Sequence, residues 1–75
     1  MRVYVLIVTK PGTSESVVES IKGLKNVVQA DSVYGRFDAI AVLEVPNLES
    51  VAEIVYNTIQ KNPNVVRTET AIALG

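Results

Sequence analysis

The segment Val27 to Val45, VVQADSVYGRFDAIAVLEV, decides the fold. Its first part, Val27-Val28-Gln29-Ala30-Asp31-Ser32-Val33-Tyr34, mixes β-branched and polar residues in the manner of a strand, and Gly35 breaks it. Ala39-Ile40-Ala41-Val42-Leu43-Glu44-Val45 resumes strand-like sequence a few residues later, so the two stretches read as a β-hairpin. Upstream, Val3-Tyr4-Val5-Leu6-Ile7-Val8-Thr9 is a third strand, stopped by Pro11-Gly12. A helix follows it, capped by Thr13 or Ser14. Val17, Val18, Ile21 and Leu24 fall on one face, while Glu15, Glu19, Lys22 and Lys25 fall elsewhere. Downstream, Pro46-Asn47 ends the hairpin and opens a second helix. Asn47 is its N-cap, Leu48, Val51, Ala52, Val55 and Ile59 form its apolar stripe, and Asn62-Pro63 stops it. Val65 to Leu74 is the last strand, with polar and apolar residues interleaved.

The order is βαββαβ. Two interleaved right-handed crossovers give an α+β fold of the ferredoxin-like type, a four-stranded antiparallel sheet with both helices on one face. At 75 residues the chain is expected to be a single domain, 1–75. A domain of this size buries only about 60% of its unfolded surface, so small proteins recruit disulfides, a metal or self-association. The sequence contains no cysteine and no histidine, which leaves oligomerisation as the expected route. Hydrophobic residues at 48% and charged residues at 20% describe a folding chain. A net charge of −1 argues against direct nucleic-acid binding, which calls for a basic excess. The apolar run from Val3 to Val8 is far short of the roughly 20 residues that cross a bilayer, and no signal pattern precedes it. A soluble cytoplasmic protein with no membrane partner is expected.

One face of such a sheet meets the helices and the other meets solvent, so the strands should alternate apolar and polar residues. The central strands do not. Val3, Val5 and Ile7 oppose Tyr4, Leu6 and Val8, while Ala41, Leu43 and Val45 oppose Ile40 and Val42, so both faces are apolar. A monomer rarely exposes a contiguous apolar patch larger than about a few hundred Å². Face-to-face homodimerisation is therefore expected; the alternative is a monomer whose edge side chains and loops cover part of that face.

Without histidine or cysteine the chain lacks the usual neutral-pH acid-base group, the best transition-metal ligand and a thiol nucleophile. Glu15, Glu19, Glu49 and Glu53 sit at helical spacing on the polar helix sides, which reads as a solvated face. No phosphate-binding glycine loop and no serine flanked by glycines is present. An enzyme, a cofactor or a metal site is not expected. Tyr34-Gly35-Arg36-Phe37-Asp38 is the informative stretch. Gly35 opens backbone conformations closed to other residues, and Arg36 and Asp38 offer opposite charges beside turn amides, a combination that suits a zwitterion. The plainer reading is that Gly35 only makes the turn and Asp38 only bonds local amides. An RNA-recognition reading of Gly35 to Val42 fails, because the third strand carries no aromatic beyond Phe37.

Across essentially its whole length the sequence resembles the effector domain of the Lrp/AsnC transcription regulators, the RAM domain. The residues that carry the resemblance are Val3-Tyr4-Val5-Leu6-Ile7, Gly35-Arg36-Phe37-Asp38 where the family commonly has a Gly-x-Tyr-Asp turn, Glu44-Val45-Pro46-Asn47-Leu48, Asn62-Pro63-Asn64-Val65 and Arg67-Thr68-Glu69-Thr70. The resemblance implies an amino-acid-sensing dimer with facing sheets, a dimeric α+β barrel, further arranged into octameric rings with small effectors held between dimers. It implies a ligand site of Tyr34, Gly35, Arg36, Asp38, Thr68 and Thr70. Phe37 removes the phenolic hydroxyl of the common tyrosine. Full-length regulators carry a helix-turn-helix ahead of this module, whereas here Met1 leads straight into the first strand. A stand-alone form, or one excised from a longer regulator, is the expectation, with hetero-assembly with a full-length regulator as a second partner. Competing readings are an ACT-like regulatory module for a metabolic enzyme and a small dimeric α+β barrel enzyme.

Overall fold

Along residues 1–75, all of which the computed structural model describes, the elements are β1 (Arg2–Thr9), α1 (Ser14–Lys22), β2 (Val27–Ser32), β3 (Ala39–Glu44), α2 (Leu48–Ile54), a π-helical segment (Val55–Ile59) and β4 (Val65–Ile72). The strands form one antiparallel sheet in the order β2-β3-β1-β4. This is the ferredoxin-like arrangement that the βαββαβ order dictates.

Period-two alternation decides what each strand buries. Val3, Val5 and Ile7 of β1 and Ala39, Ala41 and Leu43 of β3 point toward the helices and are fully or almost fully buried. There they join Val17, Val18 and Ile21 of α1 with Val51, Val55 and Ile59 in a single core. The opposite side of the same strands carries Tyr4, Leu6, Val8, Ile40 and Val42, so both faces of the central pair are apolar, as the sequence indicates.

Helix ends follow local chemistry. Asn47 caps α2 by accepting the Ser50 N–H at 2.9 Å on its side-chain oxygen. Thr13 stands at the N-cap position of α1, but its hydroxyl donates back to the Lys10 carbonyl at 2.7 Å and caps no helix amide. Beyond α1 the chain turns at Asn26, whose φ of 74° is left-handed. Its side-chain amide donates to the Glu44 carbonyl at 2.9 Å and its own carbonyl accepts the Glu44 N–H at 2.9 Å. That pair pins the start of β2 to the end of β3.

Four boundaries differ from expectation. Leu24 lies beyond the end of α1, although it still packs on the core. β2 stops at Ser32, because the Val33 N–H turns across the loop to the Asp38 carbonyl at 3.0 Å and Tyr34 is fully exposed. β4 stops at Ile72, since β1 begins at Arg2 and offers Leu74 no partner. The second helix widens after Ile54, where the Gln60 N–H reaches the Val55 carbonyl at 2.8 Å, a five-residue step. In an α-helix each four-residue step overshoots a full turn by about 40°. The wider turn reduces that drift and keeps Val51, Val55 and Ile59 aligned over the sheet. Leu48 and Ala52, expected in the buried stripe, instead lie exposed on the flank toward β4.

Candidate functional site

The loop between β2 and β3 sits where β3 begins. Gly35 has a φ of 139°, outside the range other residues readily adopt, and an added Cβ there would meet open space. The glycine therefore serves the backbone path and not a close approach. Tyr34 and Arg36 on either side of it are exposed, and the Arg36 guanidinium enters no ion pair. Asp38 is turned inward. Its carboxylate accepts the Thr9 N–H at 2.8 Å, and its own N–H donates to the Ile7 carbonyl at 2.9 Å. Arg36 and Asp38 are thus opposite charges of one loop, the first free in solvent and the second already holding one backbone amide.

Thr68 and Thr70 lie on β4, opposite Ile7 and Val5. Directly opposed residues share a face, so both hydroxyls are on the helix side of the sheet. Gln60, just after the π-helical segment, donates to the Thr68 hydroxyl at 2.8 Å. Thr70 lines a groove of about 260 Å³ between the second helix and β4, with Leu48, Tyr56 and Ile72 among its walls and none of the loop residues. Within one chain the six expected residues therefore form two groups: Tyr34, Gly35, Arg36 and Asp38 at the loop, and Thr68 and Thr70 across β1 on the edge strand.

The open sheet face is the second feature. Its apolar centre is bordered by polar pairs: Arg2 with Glu44 at 2.7 Å, Arg67 with Glu69 at 2.6 Å, and Gln29 with Asp31 at 2.8 Å. The hydrogen bond and charge of Glu44 hold the Arg2 guanidinium above its ordinary pKa. Arg67 also stacks over the Phe37 ring, 5.9 Å from its centroid, which ties the loop to β4. An apolar centre with a polar rim is the anatomy of a protein interface.

Sequence reasoning missed Gln60, which orients Thr68, and the apolar groove beside β4. The signal for the groove was present: Leu48, Ala52 and Tyr56 recur at four-residue spacing as a second stripe beside the buried one. Glu15, Glu19, Glu49 and Glu53 are all exposed, as a solvated helix face requires. No helix is long and apolar enough to cross a membrane.

Comparison with known proteins gives this geometry a family. The structure of FFRP-DM1 superposes with a TM-score of 0.91 at 30% identity, covering 97% of this chain and 97% of that one. TTHA0845 from Thermus thermophilus superposes with a TM-score of 0.94 at 28% identity, covering 99% of this chain and 92% of that one. AsnC of E. coli shares the fold, with a TM-score of 0.90 at 20% identity, and here the match covers 99% of this chain but 50% of the regulator. No curated protein matches the sequence. The family model for the Lrp/AsnC ligand binding domain matches residues 2–75, a family of regulator ligand-binding domains and not of enzymes. The chain belongs to the Lrp/AsnC ligand binding domain family.

Proposed function

We propose that this single domain senses a free amino acid or a related small metabolite at an interface between subunits in the cytoplasm. Binding shifts its assembly with itself, or with a full-length regulator of the family, and so modulates transcription. The observation that carries the reading is the family match over residues 2–75. Two regulators of the same fold lend it support: NMB0573 from Neisseria meningitidis, solved with L-Met, and Rv3291c from M. tuberculosis, solved with L-methionine.

The assembly unit is a face-to-face homodimer that buries Tyr4, Leu6, Val8, Ile40 and Val42 and builds toward an octamer-like ring. Because the two groups of site residues stand apart within one chain, the effector site draws on more than one subunit. Arg36 holds the carboxylate, Asp38 receives the ammonium on the carboxylate oxygen that Thr9 does not engage, and Thr68 and Thr70 supply hydroxyl contacts from a neighbouring chain. Tyr34 and Gly35 shape the approach. The domain itself makes no contact with nucleic acid.

Native mass spectrometry with and without a mixture of the common amino acids tests this reading. An even-numbered assembly that gains one amino-acid mass per subunit is expected. A monomer without adduct overturns it.

A further inference from the structure

Gln60 meets Thr68 in a way that fixes what the threonine can offer a ligand. We propose that Gln60 is a positioning residue: it holds the Thr68 hydroxyl as a hydrogen-bond donor, aimed at the carboxylate of the effector, and so makes the site select a free acid over its carboxamide. The proposal rests on the placement of Thr68 at the effector under the proposed function.

Gln60 directly follows the π-helical segment, and its backbone N–H reaches the Val55 carbonyl at 2.8 Å. In an uninterrupted α-helix the two residues would stand about 140° apart around the axis, after five steps of about 100°. Val55 is buried against the sheet, so an α-helical Gln60 would face away from it. The wider turn closes part of that angle. Gln60 then reaches β4, where its side-chain amide nitrogen donates to the Thr68 hydroxyl at 2.8 Å. Single π-turns in helices occur frequently at functional sites.

A hydroxyl has one donor and two acceptor positions. Gln60 fills an acceptor position of Thr68 and leaves its O–H to donate elsewhere. Thr70, on the same face of β4, is exposed and receives no such bond, so its hydroxyl turns freely. The two ends of an amino acid respond to a fixed donor in opposite ways. An ammonium carries only donors and finds no partner in it, whereas a carboxylate accepts from it in a charge-assisted bond. Thr68 and Arg36 therefore hold the carboxylate together, and Asp38 is left to the ammonium.

Calorimetric titration with the common L-amino acids, and with the α-carboxamide of the tightest binder, tests this. Gln60→Glu places an acceptor where the donor stood, turns the Thr68 O–H toward itself and leaves lone pairs facing the effector. The preference for acid over carboxamide should fall roughly tenfold or more. Gln60→Ala frees the hydroxyl to rotate and should weaken binding of the acid about 3- to 10-fold, which decides the matter if Gln60→Glu does not fold. Both effects should vanish in a Thr68→Val background, because Gln60 acts through that hydroxyl. Parent-like preference in Gln60→Glu, or parent-like affinity in Gln60→Ala, overturns the proposal. So does an equal fall in preference in the Thr68→Val background, the result expected if the new charge acts through space. Thr68→Val alone separates the two levels. If it weakens the acid while the Gln60 variants do not, the placement of Thr68 stands and the role of Gln60 falls. If it binds the acid as the parent does, or if the parent binds no amino acid, the placement itself fails and the role of Gln60 with it.

Discussion

The Asp38 carboxylate accepts the Thr9 N–H at 2.8 Å at the point where β1 loses its β3 neighbour. The β1–β3 ladder ends at Ile7 opposite Ala39, and the β1–β4 register shifts between Val8 and Thr9. Thr9 is the buried polar residue of the chain, 7% exposed. Its amide has no regular ladder partner on that side, and the aspartate side chain supplies one. The residue expected to meet an effector thus also closes the sheet.

Two substitutions separate those roles. Asp38→Ala removes the acceptor and should destabilise the fold by about 1–2 kcal/mol, near the low end for an orphaned donor because the site is partly exposed. Asp38→Asn keeps an oxygen for Thr9 and removes the negative charge. Urea unfolding should place the Asn variant close to the parent, while calorimetric titration should show it has lost amino-acid binding. Parent-like affinity in the Asn variant removes Asp38 from the effector site.

Most of the fold was legible because alternation and capping are local. The doubled apolar character of β1 and β3 announced the open face, and Asn47 announced the start of α2. The π-helical turn was not legible, because Val51, Val55 and Ile59 suit a buried helical stripe whether or not the helix widens. The end of β2 was hidden for a similar reason: Val33 and Tyr34 have strand propensity, and a cross-loop hydrogen bond overrides it. In the candidate site, residue types indicated charge and hydroxyl chemistry, but the inward turn of Asp38 and the separation of Thr68 and Thr70 from the loop depend on pairing across β1.

The apolar sheet face can be broken with one charge. Leu6 lies at its centre, opposite Ile40 on β3 and Glu69 on β4. In a face-to-face dimer Leu6→Glu buries an unpaired carboxylate, at a cost of several kcal/mol, which weakens association by a hundredfold or more. Sedimentation velocity should show loss of that dimer while circular dichroism stays unchanged. Parent-like sedimentation excludes this face as the interface.

The Asn47 cap makes a prediction about stability alone. Its oxygen serves both the Ser50 N–H at 2.9 Å and the Ser50 hydroxyl at 3.0 Å. Asn47→Ala should cost about 1 kcal/mol, and Asn47→Asp should recover most of it by keeping the acceptor near the positive end of the helix. Thermal unfolding at fixed protein concentration checks this, because self-association makes the midpoint concentration-dependent.

Arg36 offers the sharpest separation of binding from folding. It is exposed and forms no ion pair, so Arg36→Ala should move stability by no more than about 0.5 kcal/mol. A charge-assisted hydrogen bond to a ligand carboxylate contributes about 1.5–3 kcal/mol, so the same change should weaken amino-acid binding roughly 10- to 100-fold. Lysine keeps the charge and loses the two-pronged geometry, and Arg36→Lys should therefore fall between the two. If both variants bind the effector as the parent does, the carboxylate is held elsewhere, and the outward-facing amides of β4 beside Thr68 and Thr70 become the groups to test.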